Sequence, residues 1–128
     1  MPGSTETQPA PARVAYKVRR DPCGIVIFGA TGDLTARKLL PALYDLACED
    51  QLPDNFYVLG VARRPLSNDD FREKMRTAVA AHSRFGAPES ERWKNFARRL
   101  HYQPLDANQP DAYARLRESL HGLDRENH

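Results

Sequence analysis

Cysteine is nearly absent from this chain: Cys23 and Cys48 are the only two in 128 residues. Two thiols without metal-ligand spacing cannot make a disulfide framework or a zinc site, and they fit a reducing cytoplasm better than a secreted scaffold. Free thiols are expected. Cys23 would open a strand and Cys48 would close the helix running back beside it, so a bridge at that end of a sheet is the alternative. Long apolar runs are missing too, which excludes a secretory core and a membrane span. So is charge of one sign: 19 Lys and Arg are interspersed with 17 Asp and Glu, for a net charge of +2. No basic track for nucleic acid and no basic membrane face results. Glycine is sparse, with seven residues, yet two of them fall only three apart at 29 and 32.

At about one domain per 100 to 200 residues, the length suits one small domain or a piece of a larger one. Residues 1–20, MPGSTETQPAPARVAYKVRR, are rich in Pro, Ser and Thr and read as a disordered leader. Arg19 and Arg20 suit a transit peptide, but Glu6 and three prolines count against an amphipathic helix there. From 21 to 128, short aliphatic runs alternate with segments of helical period, the pattern of βαβ units on a parallel sheet. CGIVIFG at 23–29 reads as a strand covered on both faces. Asp33 is placed to cap the next helix, in which Leu39, Leu40, Leu43, Leu46 and Ala47 share a side. Pro41 predicts either a kink or a short first turn followed by a new helix with proline near its start.

FYVLGVA at 56–62 is a second buried strand, followed directly by Arg63 and Arg64. Ser67 and Asp70 are spaced as a capping box, and Phe71, Met75, Ala78 and Val79 form the stripe of a helix ending by Gly86. A further helix is expected over about 89–98, with Trp93, Phe96, Ala97 and Leu100 on one face, and LHYQPL at 100–105 suggests a third strand. The last helix should start near Pro110, carry Tyr113, Leu116 and Leu120 on one face, and stop before Gly122. The fold class is α/β: a partial Rossmann-type doubly wound parallel sheet of about three βα units.

The strand-to-helix turn is the most restrictive stretch. Gly29 lets the chain leave the strand sharply, and Gly32 removes a side chain that would hold a diphosphate away from the helix N-terminus. The spacing is G-x-x-G, not G-x-G-x-x-G, with Thr35 where a third glycine would fall. A Walker-type loop is excluded, because Asp33 follows Gly32 in place of Lys and Ser or Thr. At the end of the second strand an acidic residue would bind the ribose 2′-hydroxyl of NAD, whereas an arginine suits the 2′-phosphate of NADP. Arg63 occupies that position. Arg64 is placed to stack on the adenine, and Thr31 to offer a hydroxyl to a phosphate.

GATGDLTARKLLPALYDL, then GVARRPLSNDDF, then HYQPLD followed by a helix with Tyr113, resembles the N-terminal part of glucose-6-phosphate dehydrogenases over about residues 24–121. The resemblance implies an NADP-dependent oxidoreductase that converts glucose 6-phosphate to 6-phosphoglucono-δ-lactone, the first step of the pentose phosphate pathway, in a homo-oligomer. It implies that Gly29, Ala30, Thr31, Gly32, Asp33 and Leu34 form the coenzyme turn, that Arg63 takes the 2′-phosphate, and that Lys38 approaches the substrate side. An exposed helix lysine is the plainer reading of Lys38.

The family's substrate-binding segments and catalytic histidine have no match. His82, His101, His121 and His128 lie at helix ends, before a strand and in the tail. The chain is therefore expected to be a fragment without turnover, with no catalytic residue and no metal of its own. Glucose 6-phosphate would bind only in the full-length enzyme. With no fourth strand in sight, the first strand should expose an edge prone to association. Two alternatives are a non-catalytic NADP-binding module and a fragment of a short-chain-type NADP reductase.

Overall fold

The computed structural model describes residues 21–126, so the leader expected over 1–20 lies outside the described residues. Three strands, β1 (Cys23–Phe28), β2 (Phe56–Ala62) and β3 (Leu100–Pro104), form one parallel sheet in the order β1-β2-β3. A π-helical turn (Thr35–Leu39) leads into α1 (Leu40–Cys48); α2 (Asn68–His82) and α3 (Ser90–Ala97) connect β2 to β3, and α4 (Ala112–Glu126) follows β3. β2 is the central strand. Its run of bulky apolar residues is buried on both faces, which is what a strand flanked by helices on either side requires.

The two faces have separate cores. On one, Leu40 and Tyr44 of α1, Phe71, Met75 and Val79 of α2, and Trp93 and Phe96 of α3 pack on Ile27, Val58 and Tyr102. On the other, Ala112 and Leu116 of α4 cover Tyr57, Leu59 and Val61. Helices on both faces make the sheet doubly wound, as the alternating pattern implied. β1 departs from expectation: only Ile27 is buried, and Phe28 is 62% exposed. The reason is its edge position, for among the described residues β1 pairs on one side only. An open strand edge of this kind is a template for association.

Local signals account for α2 closely. Ser67 Oγ accepts from the Asp70 amide at 3.0 Å, and Phe71, Met75, Ala78 and Val79 are all buried. α1 is different. Pro41 has no N–H, and its ring would collide with the Arg37 carbonyl in a regular turn; the preceding turn is widened instead, with the Leu40 amide donating to Thr35 O, five residues back. Pro41 then stands in the first turn of α1, the second of the two arrangements its position allowed. The widening shifts the buried face to Leu40, Pro41, Tyr44 and Asp45, while Leu39 and Leu46 are exposed, contrary to the expected stripe. Asp45 is tolerated inside because Ser83 Oγ donates to it at 2.6 Å and the Arg84 guanidinium lies 3.6 Å away. Cys23 and Cys48 are free thiols.

Gly122 does not end the last helix, which runs to Glu126. Tertiary contacts override the local signal: Leu123 packs against the second core, and Tyr57 Oη donates to Asp124 at 2.8 Å. Burial and that hydrogen bond push the Tyr57 phenol up to about 12, so it stays a donor at neutral pH. A Cβ on Gly122 would meet nothing closer than Arg125 Nη2 at 3.9 Å. Gly122→Ala should therefore stabilise the chain by about 0.5–1 kcal/mol, since alanine costs less backbone entropy in a helix interior. An unchanged or lowered thermal midpoint would show that the helix is frayed there.

Candidate coenzyme site

The C-terminal ends of parallel strands are where an open α/β sheet binds ligands, because loops diverge there and leave a crevice. Here the loop after β1 folds down onto β2. Gly29 has φ 70°, a conformation that suits glycine, and both its amide and that of Ala30 donate to Val61 O, at 2.8 and 3.1 Å. Gly32 closes the turn, its amide donating to Gly29 O at 2.9 Å. Thr35, buried where a third glycine was considered, donates its hydroxyl to the same carbonyl at 3.4 Å.

These bonds divide the turn into two sets of amides. Those of Gly29, Ala30 and Gly32 are occupied within the protein, whereas those of Thr31, Asp33 and Leu34 have no backbone partner among the described residues. A Cβ on Gly29 would project into open space, and one on Gly32 would crowd Gly29 O at 3.2 Å. The turn thus presents free amides and an unobstructed surface, the combination a diphosphate needs. Ala30 supports it from beneath: its side chain is fully buried against Gly60. Asp33 does not cap the helix as expected. It lies within the first helical turn, where no side-chain cap bond is made, and pairs across the surface with Arg37 at 3.5 Å.

A cavity of about 510 Å³ opens between the strand ends, lined among others by Gly29, Thr31, Arg63, Arg64, Asp106, Asn108 and Tyr113. It brings together four of the residues selected from sequence, Gly29, Thr31, Arg63 and Arg64. Ala30, Gly32, Asp33, Leu34 and Lys38 do not line it; Lys38 is exposed on the π-helical turn. Arg63 and Arg64 are exposed and make no ion pair with another described residue. The loop after β3 was not singled out from sequence. Asp106 Oδ1 accepts from the Asn108 amide at 3.0 Å, shaping that loop, and Tyr113 stands beside it, 59% exposed. The rule that ligands bind beyond strand C-termini, applied to the third strand as it was to the second, is the signal that would have found it.

Among the described residues, no group of three or more His, Cys, Asp or Glu is arranged to hold a metal ion. No helix of the described residues is long and apolar enough to cross a membrane. His101 is partly buried beside Arg72; burial foremost, then that guanidinium, lower its pKa. It belongs to β3 and does not line the cavity.

Comparison with known proteins identifies the family of the chain. Glucose-6-phosphate 1-dehydrogenases of Chlamydia muridarum and Chlamydia pneumoniae are 45% and 47% identical over 103 and 104 residues, covering 80% and 81% of this chain. The chain spans only 20% of the length of each of these relatives. A solved structure titled "Glucose-6-phosphate dehydrogenase in complex with its substrate glucose-6-phosphate" superposes with a TM-score of 0.71 at 31% identity, over 81% of this chain and 21% of that one. The enzyme from Mycobacterium avium gives 0.66 at 29% identity, over 79% and 21%. The family described as "Glucose-6-phosphate dehydrogenase, NAD binding domain" matches residues 26–128, and the chain belongs to that family.

Proposed function

We propose that residues 21–128 form an incomplete NADP-binding domain, the coenzyme-binding part of an enzyme that oxidises D-glucose 6-phosphate to 6-phosphoglucono-δ-lactone. The observation that carries the NADP reading is Arg63: a guanidinium at the C-terminal end of β2, beside the glycine turn, with no carboxylate partner among the described residues. The free amides of Thr31, Asp33 and Leu34 suit the diphosphate, with Gly29 and Gly32 leaving room for it. Arg64 and Tyr113 line the same cavity and offer flat faces for the adenine. Ala30 keeps the turn in place. Lys38 is exposed at the start of the first helix, and its assignment to the substrate side rests on the family resemblance.

When bound, the nicotinamide coenzyme supplies the hydride acceptor. This chain contributes binding and orientation; the base and the sugar phosphate site belong to the remainder of the family's length, and the homo-oligomer to the complete enzyme. The free thiols and mixed charge favour the cytoplasm, with neither nucleic acid nor membrane as partner.

Calorimetric titration with NADP and NAD, with and without glucose 6-phosphate, tests the reading. NADP should bind about ten- to hundredfold more tightly than NAD, the worth of charge-assisted hydrogen bonds to a 2′-phosphate. No NADPH should form when the sugar phosphate is added. Equal affinities would remove the NADP assignment, and turnover would show that the chain holds a catalytic base.

A further inference from the structure

We propose that Tyr102 is a positioning residue for coenzyme selection: its hydroxyl fixes the loop that carries Arg63. This deepens the NADP reading and rests on Arg63 as the residue that meets the 2′-phosphate. The loop from Arg63 to Leu66 joins β2 to the cap of α2, and its four residues make no backbone-to-backbone hydrogen bond with the described residues. On the N-terminal side the chain is tied down up to Ala62, whose carbonyl accepts from the Leu105 amide at 2.7 Å. On the C-terminal side it is tied down again from Ser67, the N-cap. Between these anchors one hydrogen bond from the described residues holds the main chain: Tyr102 Oη donates to Arg64 O at 2.6 Å.

Tyr102 is well placed for this. It stands on β3 opposite Gly60 of β2, is buried, and packs its ring against Phe71 at 5.1 Å between centroids. Its amide donates to Asn68 Oδ1 at 2.8 Å, so one residue grips both the loop and the first turn of α2. Burial raises the phenol pKa, with Arg64 opposing, and the hydroxyl keeps its proton to donate. Pro65 adds stiffness from the other direction, because a residue before proline is held extended. Arg63 therefore lies between a tied Ala62 and a tied Arg64. A guanidinium anchored this way meets a phosphate with less loss of freedom than one on a loose loop, whereas a 2′-hydroxyl gains little from it.

The test is fluorescence titration of the full 128-residue chain with NADPH and NADH, at low protein concentration, for four forms: unaltered, Tyr102→Phe, Arg63→Ala and the double variant. Tyr102→Phe keeps the ring on Phe71 and removes only the hydroxyl. It should weaken NADPH by roughly three- to tenfold and NADH, which shares only the Arg64 contact with the adenine, by clearly less, and it should add no further selectivity once Arg63 is alanine. Should the variant melt at the assay temperature, Asn68→Ala frees the other end of the clamp and is expected to give the same selective loss. If Arg63→Ala abolishes the preference while Tyr102→Phe leaves the NADPH to NADH ratio untouched, or lowers both affinities equally, the positioning role is wrong and the NADP assignment stands. If Arg63→Ala leaves the preference intact, the NADP assignment fails and the role of Tyr102 falls with it.

Discussion

Arg63→Ala is expected to weaken NADP binding by about ten- to hundredfold while changing NAD affinity by less than about threefold. A dianionic 2′-phosphate facing a guanidinium gains charge-assisted hydrogen bonds, bidentate where the fork lies flat, that a hydroxyl cannot supply. Hydrogen bonds to charged groups are worth roughly 1.5–3 kcal/mol, which converts to that range of affinity. The folded chain should hardly notice the change. Arg63 is exposed and has no ion pair with another described residue, so the thermal midpoint should move within the roughly 0.5 kcal/mol typical of surface substitutions. Arg63→Lys should fall between, since an ammonium keeps the charge and loses the fork. Raising the salt concentration should narrow the gap between the coenzymes, because an exposed charge pair is screened. Calorimetry that found equal losses for NADP and NAD would leave Arg63 a solvated arginine.

The parts of this fold written in local sequence were legible, and the parts set by distant contacts were not. β2 and α2 announce themselves: an unbroken aliphatic run, then Ser67, Asp70 and a four-residue stripe, each of which holds in the structure. α1 was legible in part: Leu40, Leu43 and Ala47 pack inward as the stripe implied, but Pro41 widens the preceding turn and Leu39 and Leu46 face out, while Asp45 is buried with help from Ser83 and Arg84, about forty residues on. Gly122 looked like a stop until Tyr57 and Asp124, 67 residues apart, were seen to hold the last turn. In the candidate site, that Gly29, Thr31, Arg63 and Arg64 line one cavity was legible, because a glycine turn and a strand end occupy fixed places in a doubly wound sheet. The supports beneath them were not. Ala30 against Gly60, and Tyr102 on Arg64, depend on which strands lie side by side.

Gly60→Ala should have the opposite signature from Arg63→Ala: a large loss of stability together with equal weakening of both coenzymes. Gly60 lies mid-strand in β2, in register with Ile27 of β1 and Tyr102 of β3. The space above it is already filled. A Cβ there would stand 2.8 Å from Ala30 Cβ and 2.8 Å from Phe71 Cζ, closer than carbon atoms approach. Neither neighbour can retreat into solvent, since Ala30 and Phe71 are both fully buried. Forcing an extra carbon into a filled core costs typically 1–3 kcal/mol. For a domain of this size each kcal/mol lowers the midpoint by roughly 4–8 °C, so a fall of about 5–20 °C is expected. The strain has a direction as well. Ala30 is part of the turn whose two amides rest on Val61 O, so pushing it outward should displace the surface proposed for the diphosphate, which NADP and NAD have in common. Phe71→Leu in the same chain shortens the ring that crowds the new methyl and should recover part of the midpoint. Recovery of coenzyme affinity with it would show that the turn is held by packing over Gly60; a Gly60→Ala chain that melts and binds like the unaltered one would show that the turn does not depend on that contact.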